Sequence, residues 1–353
     1  MKLDLLCYLS LAVGMSSHFS NAFILNSTSK RRSSRCHDGR GYEVENIDTK
    51  RPSNMNEVAS RIRSVNYFIS RECNYNCQFC FHTQKNTDKL SLEKSKRGLE
   101  MLKAEGCEKI NFAGGEPFLN DMLLGELCRH CSNDLGMAVS IISNGSLIKP
   151  YWMQLFGEYV DVLGVSIDSV QASTNAAIGR GGDANNKHVE RILKVRELCS
   201  KHDITFKMNT VVCSLNWRED MSDFVRDLDP KRWKVFQVLI LKNENSGGPG
   251  ELRDARNLQV TSDQFTSFVK RHDEFKDVLV PEPNNVMQNS YLLLDEKLRF
   301  LDCSNGGKIP SDSILDVGIE AALHQAGFDN DAFHKRGGIY DWTRVRDKTT
   351  KAP

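Results

Sequence analysis

The sequence predicts an α/β protein: a parallel sheet of repeated βα units, either open or curled into a barrel. Three observations carry this. Short apolar runs recur through the middle of the chain, amphipathic stretches alternate with them, and residues of special chemistry fall at or just past the run ends. In parallel sheets, ligands sit at those ends. A length of 353 residues suits one large domain with tails. With 47 basic and 46 acidic residues, the formal net charge is +1, so no overall field favours non-specific nucleic-acid binding and any anion site must be local.

The elements follow in chain order. Residues 1–22 read as a hydrophobic leader, signal or anchor, because the apolar run from Leu5 to Met15 is too short to cross a bilayer alone as a helix. Residues 23–60 read as a basic, Ser-rich, transit-like segment and linker, and residues 61–285 as the catalytic core. Residues 286–353 form an extension. Strands are expected over 65–69, 109–112, 138–143, 160–167, 205–212 and 234–241. Helices are expected from a Ser91 cap to Ala104, then over 121–133, 186–202, 217–228 and 261–272. Cys73, Gly114, Asn144, Asp168 and Asn209 then lie at or beyond strand ends. Eleven cysteines are an odd count for a disulfide framework, and the C-x2-C of Cys128 and Cys131 falls inside a helical stretch, where it reads as packing.

The run Cys73-Asn74-Tyr75-Asn76-Cys77-Gln78-Phe79-Cys80 places three thiolates at C-x3-C-x2-C spacing with no fourth. A cubane iron–sulfur cluster held by three cysteines keeps one iron open to a non-protein ligand. A zinc site of Cys73, Cys77, Cys80 and His82 is the alternative.

Gly114-Gly115-Glu116-Pro117 follows the next expected strand, and with the three cysteines it resembles the radical S-adenosylmethionine superfamily. That resemblance implies a partial (βα)6 barrel carrying a C-terminal extension and an N-terminal leader. It also implies a [4Fe-4S] cluster on Cys73, Cys77 and Cys80, with S-adenosyl-L-methionine on the open iron. Phe79 matches the aromatic before the third cysteine. Gly114, Gly115, Glu116, Pro117, Ser143 and Asn144 become cofactor contacts, the glycines because they permit close backbone approach. Ser143-Asn144-Gly145 also reads as a simple turn.

Further stretches, among them Cys80-Phe81-His82-Thr83, Ile178-Gly179-Arg180-Gly181, Arg232-Trp233-Lys234-Val235-Phe236-Gln237 and Lys335-Arg336-Gly337-Gly338, are similar to the viperins over about residues 60 to 342. Viperins convert cytidine triphosphate (CTP) to its 3′-deoxy-3′,4′-didehydro derivative, a terminator of viral polymerases. They do so by taking the ribose C4′ hydrogen with a 5′-deoxyadenosyl radical. The resemblance makes Lys109, Arg180, Lys207, Asn209, Arg232 and Lys234 nucleotide contacts, with Lys335, Arg336, Gly337 and Gly338 closing over the phosphates. Lys207 and Lys234 stand inside apolar runs, where an unpaired charge is costly unless it meets an anion. Tyr291 is a candidate for late proton or electron delivery, and a core tyrosine is the plainer reading.

The implied partners are a nucleoside triphosphate, an electron donor such as flavodoxin or ferredoxin, and the iron–sulfur assembly machinery. No direct nucleic-acid contact is expected, and the leader offers a membrane-surface contact. The expected location is the cytosolic face of the endoplasmic reticulum or a lipid droplet, with the plastid stroma, reached by a bipartite leader, as the alternative. Vertebrate viperins end in tryptophan and begin with a longer amphipathic helix. The present chain ends Thr350-Lys351-Ala352-Pro353, which bears on cluster insertion and targeting but not on the catalytic segments. Rival functions are a radical enzyme acting on another nucleotide, a metabolite or a peptide, and a membrane-tethered interaction protein with a structural metal. Peptide-modifying relatives carry a second cysteine cluster near the C-terminus, whereas here only Cys303 lies beyond Cys213.

Overall fold

The computed structural model describes residues 62–181, 187–341 and 343. The expectations for the leader, the transit-like segment and the last residues lie outside them. Strands β1 (Ser64–Phe68), β2 (Lys109–Ala113), β3 (Ala138–Ser143), β4 (Val162–Ser166), β5 (Thr205–Val212), β6 (Arg232–Gln237) and β7 (Leu279–Glu282) lie side by side in sequence order, all parallel. The extension does not stand apart. Its β8 (Leu293–Leu294) pairs parallel with β1, and β9 (Arg299–Asp302) and β10 (Ile309–Ser313) continue antiparallel beyond it.

Register decides what each face of the sheet carries, because alternate residues point to opposite faces. Val65, Tyr67, Ile110, Phe112, Val139, Ile141, Leu163, Val165, Phe206, Met208, Trp233 and Val235 belong to the main buried core. Helices Leu92–Ala104, Asp121–Arg129, Pro150–Phe156 and His188–Lys201 bury apolar residues in that same core. The alternate set is polar: Asn66, Lys109, Asn111, Ser140, Gly164, Ser166, Lys207, Asn209, Arg232 and Lys234, aligned strand against strand. The sheet curls around this polar face. Lys109 on β2 and Arg232 on β6 both stand over the Tyr340 ring, at 4.7 and 4.3 Å from its centroid. In a flat sheet those strands would be about 19 Å apart.

Several boundaries shift for local reasons. Ser91 caps its helix as expected, accepting from the Lys94 N–H at 3.3 Å. The helix expected over 217–228 starts only at Ser222, because Asn216 and Asp220 turn their side chains to backbone groups at 168 and 222. The strand expected over 234–241 runs Arg232–Gln237, two charged residues included, since both face the polar interior. The short helices Pro150–Phe156 and Ala172–Ile178, and strands β7 to β10, carry too little periodicity to stand out in the sequence.

Candidate functional site

The cysteine loop leaves β1 and is held on several sides. Asn76 and Gln78 donate their N–H groups to the Gly179 and Ile178 carbonyls at 3.2 and 2.9 Å. Gly179 has a left-handed φ of 84°, and a Cβ there would lie 2.4 Å from the Asn76 carbonyl oxygen, so glycine is required. Asn74 bonds Ser146 and Asn144 at 2.9 Å each, and Asn245 donates to the Phe79 carbonyl at 3.1 Å. Both ends of the loop enter a buried ionic group. Arg71 bonds Glu244 and Glu296, Thr83 bonds Glu244, and Lys308 bonds Glu244 and His82.

The three thiols act on one another electrostatically. Burial pushes Cys73 up to about 11 and Cys77 to about 12, and raises Cys80 as well. Such thiols become thiolates when cations meet them, and two already accept backbone N–H groups, Cys73 from Tyr75 at 3.4 Å and Cys80 from His82. The donor set fits a cluster on three cysteines. It does not fit zinc. The fourth ligand such a site would need, His82, turns its Nδ1 to Lys308 at 3.0 Å.

The diglycine turn packs against the strand that feeds this loop. A Cβ on Gly114 would lie 2.4 Å from the Ser70 carbonyl oxygen, and one on Gly115 would lie 2.0 Å from that of Glu72. The close approach it permits is thus first to the protein's own backbone. Glu116 is fully buried and takes hydrogen bonds from Ser143 Oγ and the Asn144 N–H, both at 2.7 Å, and from the Phe118 N–H at 3.1 Å. Burial raises its carboxyl to about 7 against those three bonds. Glu116 ties the exits of β2 and β3 together, both of its oxygens engaged, and Pro117 opens the turn that follows.

Arg180 is not where the nucleotide expectation puts it. Its Nε binds Asp168 at 2.5 Å, its guanidinium lies 5.8 Å from the Phe79 ring, and Cys77 and Cys73 act on it. It belongs to the cysteine end. Asn209 also departs, being the fifth of eight residues of β5 rather than a strand end. Among the described residues its side-chain oxygen is buried without a partner, as are Asn111 Oδ1, Ser140 Oγ and Arg232 Nε.

The cations gather at the opposite end, because Lys109 and Arg232 begin their strands and Lys207 and Lys234 are third in theirs. Lys109, Lys207 and Lys234 are 6, 7 and 4 % exposed. Burial, with neighbouring cations, lowers each to about 7. Lys207 donates no hydrogen bond and forms no ion pair among the described residues. Lys234 pairs with the fully buried Glu282 and donates to Tyr291 Oη at 2.8 Å. The C-terminal segment covers this end: Arg336 stacks on Tyr291 at 3.7 Å, the Gly337 carbonyl accepts from Arg232 at 3.2 Å, and Tyr340 accepts from Lys109 at 3.0 Å. Gly338 packs so closely that a Cβ would lie 2.4 Å from the Phe333 ring. Lys335 is not brought in. It is exposed at the end of helix Asn330–Lys335.

The sequence reading missed Glu282, Tyr340, Asn66, Asn111 and Ser140. For Asn66, Asn111 and Ser140 the available signal was two-residue alternation: Ser64/Asn66, Lys109/Asn111, Ser140, Lys207/Asn209 and Arg232/Lys234 form a polar stripe on otherwise apolar strands.

Comparison with known proteins gives concordant results. Residues 67–228 match the radical SAM superfamily. The chain is 47 % identical over 294 residues to S-adenosylmethionine-dependent nucleotide dehydratase RSAD2 of Oncorhynchus mykiss, covering 82 % of this chain and 84 % of that protein. It is 35 % identical over 300 residues to the S-adenosylmethionine-dependent nucleotide dehydratase of Flammeovirga pacifica, covering 82 % of this chain and all of that protein. In fold it is similar to SuiB of Streptococcus suis, solved bound to S-adenosylmethionine, with a TM-score of 0.55 at 16 % identity over 82 % of this chain and 70 % of that one. It is also similar to anSMEcpe, solved with bound AdoMet, with a TM-score of 0.55 at 17 % identity over 75 % and 79 % of the two chains.

Proposed function

Because the chain belongs to the S-adenosylmethionine-dependent nucleotide dehydratases of the radical SAM superfamily, whose members bind a [4Fe-4S] cluster and S-adenosylmethionine, we propose that it converts CTP to 3′-deoxy-3′,4′-didehydro-CTP. The observation that carries the triphosphate is Lys207, buried inside the barrel with no hydrogen-bond or ion-pair partner among the described residues and next on its face to the unpartnered Asn209 oxygen. A buried ammonium with no anion is costly, and phosphate oxygens supply the missing charge and acceptors.

Cys73, Cys77 and Cys80 hold the cluster in this reading. When bound, cluster and cofactor supply a hydrogen-abstracting radical after one-electron cleavage of the sulfonium, and a second electron and a proton complete loss of the 3′ oxygen as water. The chain's own part is placement. Lys109, Lys207, Arg232, Lys234 and Arg336 draw the phosphates to the far end of the barrel, which leaves the ribose between them and the cysteine loop. Asn66, Asn111, Ser140 and Asn209 line that middle stretch and offer hydrogen bonds to sugar and base. Arg180, paired with Asp168 beside the cysteines, suits the carboxylate of the cofactor's methionine better than a phosphate. Segment 336–340 excludes water from the phosphate end.

The deciding experiment is anaerobic turnover of the reconstituted protein with each of the four ribonucleoside triphosphates, scoring 5′-deoxyadenosine and the dehydrated nucleotide. CTP should give both. If no nucleotide raises 5′-deoxyadenosine above the substrate-free level, the reading fails.

A further inference from the structure

Among the cations of the phosphate end lies a carboxylate that no phosphate would welcome. Glu282 closes β7, is fully buried, and faces Lys234, Tyr291 and Arg336. The phenol of Tyr291 donates to Glu282 and accepts from Lys234 at 2.8 Å. Over the same ring lies the guanidinium of Arg336, at 3.7 Å from the centroid and 3.9 Å from Glu282, while its Nε donates to the Ser290 carbonyl at 2.9 Å. Arg336 is the first residue of the segment that goes on through Gly337 and Gly338 to Tyr340. The side chain that anchors this segment is therefore stacked on Tyr291, bonded to Ser290 and within ion-pair range of Glu282.

We propose that Glu282 and Tyr291 form the seat on which residues 336–340 close over the triphosphate, acting as positioning residues through Arg336 and Lys234. The inference rests on the nucleotide reading above and deepens it. A carboxylate bonded to Lys234 and 3.9 Å from Arg336 favours the placement of both cations before the anion arrives, so the phosphates meet a formed site. The flat ring fixes the plane of the guanidinium, and a desolvated cation–π contact of this kind supports a change in affinity of about thirtyfold. Glu282 also offsets repulsion between Lys234 and Arg336, which are both held at this end. Tyr291 thus has a structural duty that the sequence alone divided between redox delivery and core packing.

The test uses the full-length, anaerobically reconstituted holoenzyme and three variants: Glu282→Gln, Tyr291→Ala and Tyr291→Phe. Two readouts are taken: hydrogen–deuterium exchange of the peptide spanning 330–341 with and without CTP, and the split between KM and kcat. In wild type, CTP should slow exchange of this peptide. Glu282→Gln and Tyr291→Ala should lose most of that protection and raise KM by about tenfold or more, with smaller losses in kcat. Tyr291→Phe keeps the ring face, so it should recover protection and lose only about threefold in KM. The proposal is overturned if Glu282→Gln keeps wild-type protection and KM. It is also overturned if Tyr291→Phe binds CTP as wild type but loses about a hundredfold in kcat, which would make the phenol a chemical participant. Thermal unfolding of each variant separates these outcomes from misfolding, and the phenylalanine variant still decides if glutamine at 282 fails to fold. Absence of protection in wild type by any nucleoside triphosphate would instead count against the nucleotide reading itself.

Discussion

The two ends of the barrel interior are built on opposite principles. At the cysteine end the site residues are tied to one another: Glu116 accepts three hydrogen bonds, Asn74 and Asn144 bond each other, and Arg180 is paired with Asp168, although Ser70 Oγ, His82 Nε2 and Asn175 Oδ1 nearby are buried without a hydrogen-bond partner among the described residues. Glycines bring backbone against backbone there. At the cation end the sheet gathers like charges faster than it neutralises them, and among the described residues Lys207 has no hydrogen-bond or ion-pair partner. One end rests on close backbone fit and paired charges, and the other carries an excess of buried positive charge for an anion to complete. Substitutions should therefore damage the first through geometry and the second through charge.

The largest effect should come from Gly115→Ala. A methyl 2.0 Å from the Glu72 oxygen meets backbone that leads directly into Cys73, so no side chain can swing aside. The variant should lose on the order of 4 kcal/mol or more of stability, and iron bound after reconstitution should fall well below wild type. A wild-type iron content and melting temperature would show that the turn is adjustable and the contrast false.

At the other end, Lys207→Met should fold well, since it replaces an unpaired buried cation with an apolar chain of similar length. It should raise KM for the nucleotide by about thirtyfold or more, the order expected when one side of a buried charge pair is removed. The cofactor-binding affinity should stay as in wild type. Arg180→Lys reverses this pattern: it loses the fork to Asp168 beside the cysteines and should raise KM for S-adenosylmethionine about tenfold while leaving that for the nucleotide alone. A nucleotide effect would return Arg180 to the phosphate end.

The same contrast explains what was legible in the sequence. The cysteine end is local: Cys73, Cys77 and Cys80 share one loop, and Gly114 to Pro117 share one turn, so spacing alone exposes them. The cation end is assembled from β2, β5, β6, β7 and the C-terminal segment: register sets Lys207 beside Arg232, and only the curl of the sheet brings Lys109 and Arg232 over the same Tyr340 ring. Lys207 and Lys234 stood out because charge inside an apolar strand demands a reason. Glu282 did not, since in sequence it lies between two prolines and reads as loop. The sequence reading grouped Arg180 with the other cations because charge alone does not separate them, and only the fold sets it beside Asp168 and Phe79. That β1 to β6 are strands of a parallel sheet was readable from alternation, whereas their order came from the structure and β8 joining the edge at β1 rests on two residues that left no pattern.

Protonation sharpens the contrast further. Lys109 and Lys207 are each lowered to about 7 in the folded protein, well below an exposed lysine, whereas Lys234 is paired with Glu282, whose carboxyl it lowers in turn. Between pH 7 and about 10 the unfolded chain then binds more protons than the folded one, so the nucleotide-free protein should gain stability as pH rises through that window. Nucleotide binding needs the charged form and should run the other way, with affinity falling by up to about tenfold per pH unit for each titrating lysine above pH 7. Calorimetry in buffers of different ionisation enthalpy should show proton uptake on binding at pH 8. No proton uptake would mean the lysines are already charged in the empty barrel.

The smallest effect separates neighbours in sequence. Lys335 and Arg336 are adjacent cations in the closing segment, yet Lys335 is exposed at a helix end whereas Arg336 lies on Tyr291 and reaches Glu282. A solvated lysine contributes little beyond a screened long-range attraction, so Lys335→Ala should change KM by less than about twofold at physiological salt. Arg336→Ala removes a desolvated contact and should cost far more. If the two variants weaken binding equally, net charge in the segment is what matters. The distinction between an end built by placement and an end built by charge would then have to be redrawn at this segment.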